Sequence, residues 1–277
     1  MTIKISVCVQ TDEVPKPVPV ALFSGPFAER ARKAGEAGVD GLELMTIDPR
    51  SLDATAVART LRDNGLEAAA IGSGAIAFAA DLTLLHPDAD VASRARALLR
   101  DLIEFAAAVG APLVTLGSFR GRLAPVGPDG RTRLVQILRE GSEWAQAAGV
   151  RLAIEPTNRY ELDHVNNAAE GLAFLSELRH PAAGLLLDTF HANIEERSRT
   201  APFRDVLAAG KLWHVHVGDN NRLAPGQGMI DFRAIVATLR GGGYDGYLSA
   251  ELLAHPDGDT AAVQTLAHLR PLLEESR

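Results

Sequence analysis

The chain contains a single cysteine, Cys8, in 277 residues. An intrachain disulfide and a cysteine-built metal site are therefore excluded, and Cys8 reads as a small buried hydrophobe on the first strand. Positive charge is also in short supply. There are 28 Lys and Arg against 35 Asp and Glu, giving a net charge of −7. No general basic field draws nucleic acid or an acidic membrane surface, so no nucleic-acid partner is expected. No apolar run approaches the roughly 18 residues that a membrane span requires. The opening segment, MTIKISVCVQTDEVPK, lacks the basic start, long apolar core and small-residue cleavage site of a secretory signal, and a cytoplasmic location is expected. Linkers and low-complexity tracts are missing too. With 47% hydrophobic and 23% charged residues, the expectation is one soluble domain spanning residues 1–277.

What the chain does have is alternation. Short β-type runs fall at residues 3–9, 41–45, 67–73, 113–118, 151–156, 184–189, 212–217 and 246–252. Helix-length segments with apolar residues three and four apart lie between them, notably 27–38, 92–110, 132–149 and 232–243. In the segment 92–110, Ala95, Leu98, Leu99, Leu102, Phe105 and Ala106 form one stripe and Gly110 closes the helix. Eight strands, each followed by a helical segment, imply parallel pairing through right-handed crossovers. The fold class is α/β, and count and length fit a (β/α)8 TIM barrel. The rival, a doubly wound open sheet, is weakened because no GxGxxG follows the first strand. The loops QTDEVPKPVPV, after the first strand, and GSFRGRLAPVGPDGR, after the fourth, are long and rich in Pro and Gly. Long loops at the C-terminal ends of barrel strands cover or shape the site.

The segment WHVHVGDNNR, residues 213–222, joins a buried strand to an exposed loop. Strand alternation predicts that His214 and His216 share one face and that Trp213, Val215 and Val217 share the other. The fifth, sixth, seventh and eighth strands end in Glu155, Asp188, His216 and Glu251, each about one βα unit from the last. In a barrel these ends stand side by side around the C-terminal mouth. Each residue alone has a plainer explanation, a solvated loop acid or a satisfied core histidine. Together, three unpaired carboxylates in a poorly hydrated pocket would cost several kcal/mol in desolvation and repulsion, which a divalent cation relieves. Three oxygens, one nitrogen and no sulfur favour Mn²⁺, Mg²⁺, Co²⁺ or Zn²⁺ over soft metals. His216, one pleat nearer the mouth, is the expected ligand, and His214 is a deeper residue that packs or supports a ligand.

The motifs IEPTNRYE (154–161), LLLDTFHANIEE (185–196), HVHVGDNNRLAPGQG (214–228) and LSAELL (248–253) resemble the xylose isomerase-like barrel superfamily of sugar isomerases and epimerases, especially the D-tagatose/D-psicose (ketose) 3-epimerases. The N-terminal half matches in layout only. The resemblance implies that Glu155, Asp188, His216 and Glu251 hold one divalent metal ion, and that Glu155 and Glu251 are the acid/base pair. It also implies that Glu161, His191 and Arg222 bind oxygens of a small carbohydrate substrate. The expected activity is epimerisation or aldose–ketose isomerisation of a ketose through a metal-stabilised enediolate.

Two departures matter: Pro156 follows the glutamate, as in hydroxypyruvate isomerase-like members, and Arg120 and Arg122 lie in the loop after the fourth strand. These arginines either receive a carboxylate or phosphate or, more simply, are two solvated loop residues. A lyase or dehydratase on the same scaffold is the alternative reading. An endonuclease IV-type phosphodiesterase is disfavoured because the third and fourth strands end in IGSG and LGSF, with no histidine for its extra zinc ions. Barrels of this kind often pair through helices, leaving a homo-oligomer open, although no heptad seam marks an interface.

Overall fold

A computed structural model describes residues 2–275. Eight strands form: β1 (Lys4–Gln10), β2 (Gly41–Met45), β3 (Glu67–Gly72), β4 (Leu113–Leu116), β5 (Arg151–Ile154), β6 (Ala183–Asp188), β7 (Leu212–Val217) and β8 (Tyr247–Ala250). Each pairs in parallel with its chain neighbour, and β8 pairs back onto β1, so the sheet closes. The helices are α1 (Phe27–Ala37), α2 (Ala54–Asp63), α3 (Gly74–Ala79), α4 (Ala89–Val109), α5 (Gly130–Ala147), α6 (Ala168–Leu178), α7 (Thr189–Glu195), α8 (Ala201–Ala208), α9 (Phe232–Gly241) and α10 (Gly258–Glu274). This is the expected (β/α)8 barrel. No helix among the described residues is long and apolar enough to cross a membrane.

Local chemistry sets the boundaries. The stripe on α4 buries Ala95, Leu98, Leu99, Leu102, Phe105 and Ala106 against the sheet, and Gly110 ends the helix in the left-handed region at φ 82°. The helix starts three residues before the position expected from its stripe, at Ala89, because the Asp88 side chain accepts from the amides of Asp90 and Val91. β5 and β8 stop at Ile154 and Ala250. Glu155 and Glu251 therefore stand one residue beyond regular pairing, although the Glu155 amide still donates to the Leu116 carbonyl at 3.0 Å.

Outward-facing strand residues such as Leu152, Ile154, Leu185, Leu187, Val215 and Val217 join the main apolar layer under the helices. The alternate positions fill the barrel interior, and at its N-terminal end Ala70, Leu113, Ala153 and Leu186 form a small plug. Trp213 packs on this plug, which corrects the expectation that it faces away from the histidines. The cause is a register shift. Leu185 pairs with Leu212 and Leu186 with His214, so Trp213 is an extra residue and shares the inner side with His214. Its indole lies against Gly184, where an added Cβ would come 2.3 Å from a ring carbon. Gly184→Ala should therefore lower stability by about 1–3 kcal/mol through overpacking. Urea unfolding of the variant measures this, and an unchanged midpoint would contradict the packing described.

Candidate active site and metal centre

The four expected strand-end residues meet. One ligand atom each from Glu155, Asp188, His216 and Glu251 lies within 4.8 Å of every other, and all four residues are buried. His216 Nδ1 is 3.4 Å from Glu155 Oε1 and 3.6 Å from Glu251 Oε2. Glu155 Oε1, Asp188 Oδ2 and His216 Nδ1 have no hydrogen-bond partner although they are buried. Orphaned polar atoms in a dry pocket are costly, and three aimed at one point fit a cation of oxygen and imidazole preference. The residues present therefore fit the expected divalent ion.

Electrostatics carry the same message. Burial pushes the Glu155 carboxyl up, and the nearby Glu251 charge adds to this. Burial, reinforced by Glu155, raises Asp188 to about 7. Burial works against a charged His216, but the carboxylates of Glu43, Glu251 and Glu155 outweigh it and hold the imidazole well above its ordinary value. The protein without an ion thus holds protons in the place where a dication would neutralise the same charges.

The three residues expected to bind substrate also reach this centre. His191, on α7, is almost fully buried, with Nε2 3.8 Å from Glu155 Oε1 and 3.7 Å from Asp188 Oδ2. Its tautomer follows from its neighbour. Asn158 accepts from the Tyr160 amide through Oδ1 at 3.0 Å, so its Nδ2 group donates to His191 Nδ1 at 2.8 Å. Burial holds the ring neutral, and its one proton sits on Nε2, directed at the centre. Arg222 donates to Glu251 Oε2 at 2.8 Å and lies 3.3 Å from Glu161 Oε1. Burial opposes its charge, but Glu251, Asp188 and Glu161 more than offset this and raise its pKa. The cavity in front of these groups is about 350 Å³ and includes Glu161, His191, Arg222 and, from the loop after β1, Val18, Pro19 and Val20. That loop is tied down by Gln10, whose Oε1 accepts from the Val18 amide at 2.7 Å. The loop after β1 thus forms a wall of the site, as its length and composition suggested.

Arg120 and Arg122 separate. Arg122 is exposed and donates to the carbonyls of Tyr160 and Glu161. Arg120 is wholly buried, which corrects its reading as a solvated loop residue. Its Nε donates to the Gly117 carbonyl at 3.2 Å, and burial pulls its pKa down to about 10 while Glu155 opposes that fall. Its burial follows from loop packing that no local pattern reveals. It takes no place at the metal centre.

Two further acids shape the site and were not singled out in the sequence. Asp219, fully buried after β7, accepts from the amides of Gly226 and Gly228 through Oδ2 and of Asn220 and Ile230 through Oδ1. It thereby folds the loop that carries Arg222, and the spacing GDNNRLAPGQG was its available signal. Glu43, in the middle of β2, accepts from Nε2 of both His214 and His216 at 2.9 Å. His214 is thus the deeper, supporting histidine that strand geometry suggested.

Residues 31–272 match the family described as Xylose isomerase-like TIM barrel. The chain is 32% identical over 267 residues to L-ribulose 3-epimerase of Methylomonas sp. (strain DH-1), covering 92% of this chain and 90% of that protein. It is 36% identical over 220 residues to L-ribulose 3-epimerase of Mesorhizobium japonicum, covering 78% and 72% respectively. A solved structure of L-ribulose 3-epimerase superposes with a TM-score of 0.79 at 28% identity, covering 98% of this chain and 95% of that one.

Groups with raised folded-state pKa values hold their protons more tightly folded than unfolded. Their stabilising contribution is complete below the unfolded value, about 4 for a carboxyl, and is lost as pH rises through the folded value, about 7 for Asp188. His216 acts with the same sign at higher pH, whereas Glu43, held low because its two imidazole partners outweigh burial, acts with the opposite sign below about pH 4. Burial holds His164, His191 and His214 below their ordinary values, so these rings act with the opposite sign in the same range and are shared by any variant of the centre. Chelator-treated wild type should therefore lose stability relative to Asp188→Asn as pH rises from about 5 to 7. Urea midpoints of the two proteins against pH measure it; a difference between them that does not change with pH would contradict the raised proton affinity of the centre.

Proposed function

This chain belongs to the xylose isomerase-like TIM-barrel family, and from that premise we propose that it is a ketose 3-epimerase dependent on one divalent ion, Mn²⁺, Mg²⁺ or Co²⁺. The carrying observation is the meeting of Glu155 and Glu251 at one centre, with orphaned ligand atoms between them and hydrogen-bond donors beside them. Glu155, Asp188, His216 and Glu251 hold the ion, which when bound supplies the positive charge that polarises a ketose carbonyl and acidifies the C–H of the next carbon.

The chain's own groups do the rest. Arg222 and Glu161 form a hydrogen-bonded edge that orients hydroxyls, and His191 donates its Nε2 proton to a substrate oxygen. One of Glu155 and Glu251 removes the proton from C3, and the other returns one to the opposite face of the same carbon, which inverts it. Arg222, donating to Glu251 Oε2, fixes the second carboxylate in position.

Glu155→Gln and Glu251→Gln should each fold, keep at least weak metal binding and lose turnover by about 10²- to 10⁴-fold. Turnover of L-ribulose, D-psicose and D-tagatose in D₂O adds the position of exchange, and deuterium at C3 is expected. Label at C1 or C2 alone would indicate aldose–ketose isomerisation, and loss of water would indicate the dehydratase alternative. Near-normal activity in either Gln variant would remove that residue from its acid/base role.

A further inference from the structure

Glu43 is an acid that the four-residue centre does not contain. It sits in the barrel interior under His216 with no exposed surface. Four side-chain donors converge on it. His214 Nε2, His216 Nε2 and Ser249 Oγ reach Oε2, and Thr115 Oγ1 reaches Oε1, each at 2.9 Å. Gly72 on β3 leaves the room, since a Cβ there would lie 3.1 Å from Glu43 Oε1. Strands β2, β4, β7 and β8 therefore all contribute to holding one carboxylate. That is a large commitment for a residue with no access to substrate.

The chemistry of imidazole says what this arrangement achieves. A neutral ring has one N–H and one lone pair, and the nitrogen that donates decides which nitrogen can ligate. In the neutral ring that a metal requires, the His216 donor to Glu43 is Nε2, which leaves the lone pair on Nδ1. That atom is buried, lacks a partner, and lies 3.4 Å from Glu155 Oε1 and 3.6 Å from Glu251 Oε2. A proton placed on Nδ1 instead would be drawn to those two carboxylates and would occupy the ligand position itself. We propose that Glu43 is the positioning residue that commits His216 to its Nε2–H form and so makes Nδ1 a metal-ligating nitrogen. His214, Ser249 and Thr115 keep the carboxylate in place. Cys8, Glu43 and His216 also lie close enough to suggest a second cation site. The oxygens of Glu43 are already taken by donors, so its role there is to hold hydrogen bonds.

This proposal rests on the metal-binding reading of the centre and is tested first without substrate. In ¹⁵N-histidine-labelled, Mg²⁺-loaded wild type, the His216 ring should carry its proton on Nε2, as a slowly exchanging downfield resonance, with Nδ1 unprotonated. The reverse pattern overturns the proposal whether or not any variant folds. Calorimetric titration of Mn²⁺ into Glu43→Gln should give a dissociation constant about 10- to 100-fold weaker than wild type. At saturating Mn²⁺ the KM for ketose should stay unchanged, a split that general loosening of the barrel would not produce. Equal Mn²⁺ affinity in wild type and Glu43→Gln overturns this proposal alone. A wild type that takes no ion overturns the reading of the centre and this proposal with it.

Discussion

Crowding of like charge in a dry place is the constraint around which this barrel is organised. Two charges 4 Å apart repel by about 4 kcal/mol at an effective dielectric near 20, and burial adds a desolvation cost for each. Glu155, Asp188 and Glu251 accept that situation on three strands of one sheet, with only His216 and Arg222 to moderate it. Parallel pairing leaves little choice, because register fixes which residue of each strand reaches the mouth. The raised proton affinities of Glu155, Asp188 and His216 are different expressions of the same unmet charge.

The layers above and below make sense as supports for that centre. Beneath it, Glu43 and His214 turn the barrel interior from a purely apolar fill into a hydrogen-bonded floor, and below them Trp213 closes the N-terminal end against Gly184. Above it, Asp219 gathers four loop amides and thereby carries Arg222 to Glu251. Arg222 adopts a left-handed backbone conformation, φ 59°, which a residue with a side chain accepts only where its surroundings impose it. Asn158 does comparable work for His191 by selecting its tautomer. Residues that line the cavity are thus held by partners outside it, and those partners come from loops as well as strands.

The barrel and its four-residue centre were legible in the sequence for a physical reason. Hydrophobic alternation at two distinct periods identifies strands and helices, and acids at the ends of apolar strands stand out because burial there needs a cause. The same logic was available for Glu43 but points less clearly in mid-strand, where a charged residue between Leu42 and Leu44 gives no hint of its partners 72 to 206 positions away. Trp213 was misplaced because alternation assumes unbroken register, and one inserted residue moves a side chain to the other face. Arg120 was misjudged because a loop residue's burial is set by distant segments that fold over it. His191, Glu161 and Arg222 came from motif resemblance, and their proximity to the centre depends on where α7 starts and on how the two loops carrying Glu161 and Arg222 bend.

The proposed function holds that Glu155, Asp188, His216 and Glu251 are tolerable together only around a divalent cation, and on that claim the rest of the site depends. Anomalous diffraction from crystals of the Mn²⁺-loaded protein tests it most directly. One strong peak per chain is expected, within bonding distance of all four residues and of His216 through Nδ1. Fully loaded crystals with no peak at that point, or with the ion held elsewhere, would contradict it.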